Sequence, residues 1–496
     1  MALDVRNILR TPSALRSGAL TGLAQIVLAL AAAGAGALLA QKFGRNDETD
    51  GFLGAYGVYL VLVLAAQAFR MVVVPDLTVA AAEGRLGAES RAYATAFLAL
   101  AVPVSVLVAV FSKPLGDLIT GSLPQRSADI AGRALVILVP AAFGQLLAAL
   151  AASALAAIDS YGSAAAGFAL GGITGLVAFA ALADSKGIVA LAWGLALNAA
   201  VAFAMPVTVL VRRRALVGHA TGRLDVLPRL WRLLQGAAVP LALQGCYLVA
   251  LRLSSKLGVG SVTSFSYGYL AASTLVGATA FSLGLISTAP LTRRGLDPEE
   301  AGRHVVHAGW VSLSLVGAAA GVFALVGGRI VQFVLGNEYS GRVGRELGHL
   351  VAYLSPWMVG WVGFAVTFPL VFVAGRRTWL VPLAVAGFVL DIPLGLGLRA
   401  AWGLPGVAIA LGVATIAVAL ALMAAVSPRT FAIAAVGLGR LALAIGAASA
   451  LTFGGLSLAL SPIPAAVLGL VAYGLVIYAI RSYGLTDAWA YVRGLQ

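Results

Sequence analysis

Long apolar runs, each broken by a short polar or charged segment, set the pattern of this chain from residue 17 to residue 480. Most runs are about 20 residues long. A helix rising about 1.5 Å per residue can then cross a hydrocarbon layer of about 30 Å. The pattern predicts spans over 17–40, 51–80, 92–111, 130–157, 163–182 and 188–211. It predicts further spans over 233–251, 261–289, 304–326, 349–373, 379–398, 404–426, 430–453 and 461–480. The expected fold is therefore an all-α polytopic membrane protein with about fourteen transmembrane helices. Before the fourth span, Phe111–Gly121 reads as a short surface or re-entrant helix.

Landmarks recur along this pattern. The stretch ending at Gly121 has a counterpart ending at Gly336, and Pro75 at the end of the second span has a counterpart in Pro290. Both pairs stand at the same sequence separation. Gly187-Ile-Val-Ala-Leu-Ala also resembles Gly406-Val-Ala-Ile-Ala-Leu. These repeats predict two parallel-repeated six-helix lobes plus two C-terminal helices. The expected boundaries are a cytoplasmic N-terminal segment over 1–16, a first lobe over 17–211 and a basic cytoplasmic linker over 212–232. A second lobe over 233–426 follows, then two additional helices and a tail over 427–496. Parallel repeats of this kind support alternating access by rocking about a central site.

Composition agrees with the pattern. Of 496 residues, 61% are hydrophobic and 10% charged, where soluble domains carry about 25% charged residues. The net charge of +14 would point to nucleic acid in a soluble domain. Here the basic residues concentrate in alternate loops, which is an orientation signal. The densest run, Val211–Arg232, holds Arg212, Arg213, Arg214, Arg223, Arg229 and Arg232 against Asp225 alone. It reads as a cytoplasmic seam and places both termini in the cytoplasm of a bacterial-type inner or plasma membrane. Nucleic acid is not an expected partner.

Little in the chain suggests chemistry. The single cysteine, Cys246, lies in an apolar run and supports no disulfide framework, and the four histidines have no ligand spacing. No Gly-rich phosphate loop followed by Lys and Ser/Thr is present. No acid–base–nucleophile constellation can be placed, so an enzyme is not expected and no cofactor is evident. An ion gradient or the membrane potential is the available source of coupling.

Polar residues inside apolar runs are the site candidates, because a charge in lipid is costly unless it faces a cavity or partner. Arg70 lies deep in the second span; its forked donors suit a phosphate, or it snorkels to headgroups. Asp76 follows and pairs locally or marks the interface. Asp50 opens the same span, as a helix cap or as a gate at the exterior mouth. Arg252 and Lys256 follow the seventh span, where they draw in an anionic headgroup or border the membrane. The eighth span is unusually polar, and Tyr267 and Tyr269 are its candidates for contact with substrate. Gln145, Asn198 and Gln244 are isolated polar positions that identify no ligand.

Two stretches carry a resemblance. Phe43-Gly-Arg-Asn-Asp-Glu-Thr-Asp-Gly-Phe52, continuing through Ala68-Phe-Arg-Met-Val-Val-Val-Pro75, resembles the second-span junction of the lipid II flippase family (MurJ/MviN type). That family belongs to the multidrug, oligosaccharidyl-lipid and polysaccharide exporter superfamily. The second stretch is Ser254–Leu270, followed by Ala289-Pro-Leu-Thr-Arg293. The resemblance implies two six-helix lobes about a V-shaped cavity, two further helices forming a lipid groove, and Arg70 and Asp50 at family positions. Typical members carry basic residues near Ala29 and Ala35, a cavity arginine in the region of Tyr269, and an acid near Arg252.

The implied function is an alternating-access flippase or exporter for a polyprenyl-diphosphate-linked sugar, either lipid II or a polysaccharide repeat unit. The implied partners are that anionic lipid-linked sugar, membrane lipids and envelope-assembly proteins, with the monomer as the working form. The alternatives are a multidrug or organic-cation exporter and a non-transporting membrane scaffold.

Overall fold

A computed structural model describes residues 12–158, 160–216, 226–276 and 297–483. These are helical almost throughout. Among them, ten helical runs are long and apolar enough to cross a membrane. The chain is an all-α, multi-pass membrane protein. It divides into two compact units, Met1–Leu241 and Ala242–Gln496.

The first unit contains α1 (Pro12–Phe43), α2 (Asp47–Ala82), α3 (Leu86–Val110) and α4 (Ser112–Thr120). After these come α5 (Gln125–Ala156), α6 (Tyr161–Lys186) and α7 (Ala190–Arg212). The chain reverses between α1 and α2 at Gly44, whose φ of 67° favours a residue without a Cβ. Asn46 then caps α2: its side-chain oxygen accepts from the Thr49 backbone N–H at 3.0 Å. The cap is thus Asn46 and not Asp50, because the helix begins about one turn earlier than the apolar pattern does. Asp47, Glu48 and Asp50 occupy the first turn, where negative charge complements the helix dipole.

The alanine-rich α5 forms the centre of this unit and packs against α2 and α7. Small residues permit this closeness. A Cβ placed on Gly51 of α2 would stand 2.2 Å from the Ser127 carbonyl oxygen of α5. The short α4 forms where the sequence predicts it. It lies on α5 through Gly116, where a Cβ would come within 2.3 Å of the Ala128 carbonyl.

The seam after α7 is described in two pieces. Residues 213–216 form a turn, with Arg214 at a φ of 53°, and Val226 begins α8 (Val226–Ser255). Arg229 and Arg232 are therefore helical, whereas Arg223 and Asp225 lie outside the described residues.

The second unit takes the chain from within α8 through α9 (Ser261–Val276). The rest of the predicted eighth span, with Pro290 and the Arg293–Arg294 pair, lies outside the described residues. Next come α10 (Pro298–Leu335), α11 (Gly341–Tyr353) and α12 (Ser355–Val373). The predicted span over 349–373 takes in the end of α11 and all of α12, which meet at Leu354. Pro356 sits in the first turn of α12, where a missing backbone N–H costs nothing. Then come α13 (Leu380–Trp402), α14 (Leu404–Val426), α15 (Pro428–Ser449) and α16 (Pro462–Ala479). A π-helical turn over Ala450–Gly454 extends α15.

The core of this unit is α12 against α14. A Cβ on Gly360 would stand 2.7 Å from the Ile416 backbone nitrogen, and one on Gly412 would stand 2.8 Å from that of Trp357. The paired glycines of the sequence share a role: Gly121 ends α4 and Gly336 ends α10, each with positive φ.

Candidate functional site

In the first unit the candidates lie along α2. Phe52 and Tyr59 are buried on the face turned to α5, and Tyr56 stacks between them, 6.3 Å and 5.6 Å from their ring centroids. The Tyr59 hydroxyl lies near Gln145 of α5, itself buried. Arg70 lies about three turns further along. At about 3.6 residues per turn it returns to the azimuth of Phe52 and Tyr59. The arginine is half-buried. The aromatic residues are packed within the unit, whereas Arg70 carries a permanent cation of the kind that suits an anionic group.

Asp50 is fully buried at the N-terminal end of the same helix. The junction around it is packed. The Ser127 hydroxyl donates to the Asp47 carbonyl at 2.7 Å, and Arg126 pairs with Glu48. Asp76, at the opposite end of α2, accepts from the Tyr93 hydroxyl and from Arg232.

In the second unit Tyr269 is fully buried in an aromatic cluster. Its hydroxyl donates to the Gln244 side-chain oxygen at 3.1 Å. Its ring stacks on Tyr247 at 4.0 Å and lies 4.7 Å from Trp357. Tyr267 points away from this cluster and meets the Tyr339 ring edge-on at 5.6 Å. The two tyrosines therefore sit on different faces of α9. Arg252 is half-buried and donates to the Ser255 hydroxyl at 3.3 Å; Lys256 is exposed just beyond α8.

One buried charge escaped the sequence reading. Asp391 lies in the middle of α13, 2% exposed, within the apolar run Leu380–Leu398. It lies beside Cys246 of α8, which is buried as well. Close packing brackets the pair: a Cβ on Gly245 would stand 3.0 Å from the Phe388 ring, and one on Gly395 would stand 2.5 Å from the Leu253 side chain. The rule that singled out Arg70, one charge in an apolar span, also finds Asp391.

An apolar cavity of about 420 Å³ lies between α10, α12, α15 and the π-helical turn. Gly317, Ala320, Gly321 and Ala324 form its wall on α10, and Gly446 and Phe453 close it from the other side. The π turn presents Phe453 to Gly321, where a Cβ would meet the ring at 2.2 Å. Such turns insert one extra residue per turn and often mark functional positions. No group of three or more metal-ligating side chains is present among the described residues.

No protein-family model and no curated protein matches the chain. Solved structures do. An inward-closed conformation of the lipid II flippase MurJ is similar at 16% identity and a TM-score of 0.70, over 93% of this chain and 99% of that one. An inward-facing multidrug-resistance MATE transporter of the MOP superfamily is similar at 13% identity and a TM-score of 0.63, over 84% of this chain and 95% of that one. An outward-facing MATE transporter gives 15% identity and a TM-score of 0.59, over 90% and 99%. At these identities what is shared is the fold: the chain has the helical architecture of the MurJ-type and MATE-type structures of that superfamily.

Proposed function

We propose that this protein is an alternating-access transporter that moves an amphiphilic, polyprenyl-diphosphate-linked sugar across a bacterial-type plasma membrane. It does so without catalysing a reaction. The observation that carries this reading is Arg70, a half-buried cation within an apolar helix. Its guanidinium compensates the diphosphate while the head crosses, through charge-assisted hydrogen bonds. The apolar cavity beside the π-helical turn supports the same reading, since it offers a hydrocarbon chain a surface of small residues. The fold shared with a lipid II flippase structure is consistent with it.

The test is translocation of fluorescent lipid-linked sugars in reconstituted vesicles, read by accessibility to a membrane-impermeant quencher. Protein-dependent translocation, lost in Arg70→Ala while the variant still inserts and elutes as a folded species, supports the reading. Wild-type rates in that variant, or no translocation across lipid II and shorter-sugar analogues, defeat it.

Asp391 favours a second reading, export of an organic cation, because a buried acid is what a cationic substrate or its counter-ion requires. Efflux of ethidium-like cations that depends on Asp391 and not on Arg70 selects it over the first.

A further inference from the structure

The helix α8 is anchored on two sides of a proline. It runs unbroken from Val226 to Ser255 with Pro240 in its interior, and the two compact units part between Leu241 and Ala242. A proline removes one backbone hydrogen bond and leaves a helix easiest to bend at that point.

The arm before Pro240 is fastened to the first unit by a connected set of polar contacts. Arg229 and Arg232 stand three residues apart on one face of the arm. The Arg229 Nε and Nη2 donate to the two carboxylate oxygens of Glu89 on α3, each at 2.9 Å. This is the forked geometry that gives arginine–carboxylate pairs their directionality. Both side chains are mostly buried, at 20% and 15% exposure, so salt screens them less than a surface pair. The guanidinium carbon of Arg229 also lies 5.9 Å from the centre of the Tyr93 ring, one turn along α3 from Glu89. Tyr93 donates to Asp76 on α2, and Asp76 accepts from Arg232 Nη1 at 3.4 Å. The turn leading toward this arm is docked as well: a Cβ on Gly87 would stand 2.4 Å from the Leu216 carbonyl oxygen.

The arm after Pro240 is held within the second unit. Gly245 abuts Phe388, Cys246 lies beside Asp391, and Leu253 packs on Gly395.

We propose, on the transporter reading above, that Asp76, Glu89, Tyr93, Arg229 and Arg232 form a clasp that keeps the first arm of α8 on the first unit throughout the transport cycle. The clasp is built for permanence. Three helices contribute to it, the strongest pair is shielded, and each carboxylate meets an arginine. It also gives the basic run after α7 a second role beside fixing topology, because Arg229 and Arg232 are structural fasteners and not free surface charge.

The clasp is tested by distance and not by transport, so its failure is separable from failure of the substrate reading. Spin labels at Ala82→Cys on the exposed end of α2 and Leu227→Cys on the exposed start of α8, in a Cys246→Ala background, report the separation across the clasp. One narrow distance distribution is expected in the parent protein, unchanged by an imposed ion gradient or by added lipid-linked sugar. Arg229→Ala or Glu89→Ala should broaden it. The exchange Glu89→Arg with Arg229→Glu should narrow it again, which also shows that the broadening is not loss of the fold. Arg229→Lys, which keeps the charge without the fork, should fall between. A distribution that is bimodal in the parent protein, that stays narrow in both alanine variants, or that remains broad in the exchanged pair overturns the proposal.

Discussion

Two single charges in apolar helices, Arg70 and Asp391, are where the residue scale matters most. Each costs several kcal/mol to hold away from water unless something compensates it, so neither persists there by chance. If Arg70 meets a diphosphate, Arg70→Ala removes charged hydrogen bonds worth about 1.5–3 kcal/mol, which lowers translocation by about 10-fold or more. Arg70→Lys should retain part of the rate, because it keeps the charge and loses the fork. Initial rates of lipid-linked sugar translocation in vesicles check both. Asp391→Asn is the companion experiment. It keeps the side-chain size and removes the ionisable group. We expect the transport rate of that variant to stop responding to an imposed proton or sodium gradient, measured against the parent in the same vesicles; an unchanged response removes Asp391 from coupling.

At the scale of the element, packing is set by glycines at helix crossings. Gly51 meets backbone and not a flexible side chain, with a Cβ position 2.2 Å from the Ser127 carbonyl. Gly51→Val should therefore force α2 and α5 apart and destabilise the fold by about 1–3 kcal/mol. Gly36 of α1 is the control, since a Cβ there meets nothing within 4 Å. Gly36→Ala should leave stability unchanged or raise it by up to about 1 kcal/mol through helix propensity. Thermal unfolding in detergent, with the two variants side by side, gives the comparison. Helix ends were only partly legible at this scale. Asparagine, aspartate and threonine near the start of α2 are all plausible caps in sequence, and only the reversal at Gly44 decides for Asn46. The division between α11 and α12 is signalled by Pro356, but hydropathy alone runs straight across it.

At the scale of the whole molecule, α8 supplies a topological test. Its 30 residues span about 45 Å, enough to cross the hydrocarbon layer. Single cysteines at Arg213 and Lys256 should therefore react with impermeant maleimide from opposite sides. From the positive-inside bias we expect Arg213 to react from the cytoplasmic side. Since Cys246 is buried, background labelling should be low. Reaction of both sites from one side in intact cells contradicts the crossing.

The sequence by itself determined the membrane class, the helical composition and most span positions, because hydrocarbon leaves the backbone no alternative to helices or closed barrels. It also exposed Arg70, since an isolated charge needs no structure to be noticed. Tertiary structure decided what side-chain identity does not encode. Tyr267 and Tyr269 are two residues apart in sequence and face different partners, Tyr339 and the Tyr247–Gln244 cluster, because a helix turns about 200° between them. The basic run reads in sequence as a solvated linker. Only the fold brings Glu89 and Asp76, more than a hundred residues earlier, to its arginines. Long-range pairing of this kind depends on which helices pack together, and an alanine- and glycine-rich sequence leaves that choice to the close fit of small surfaces.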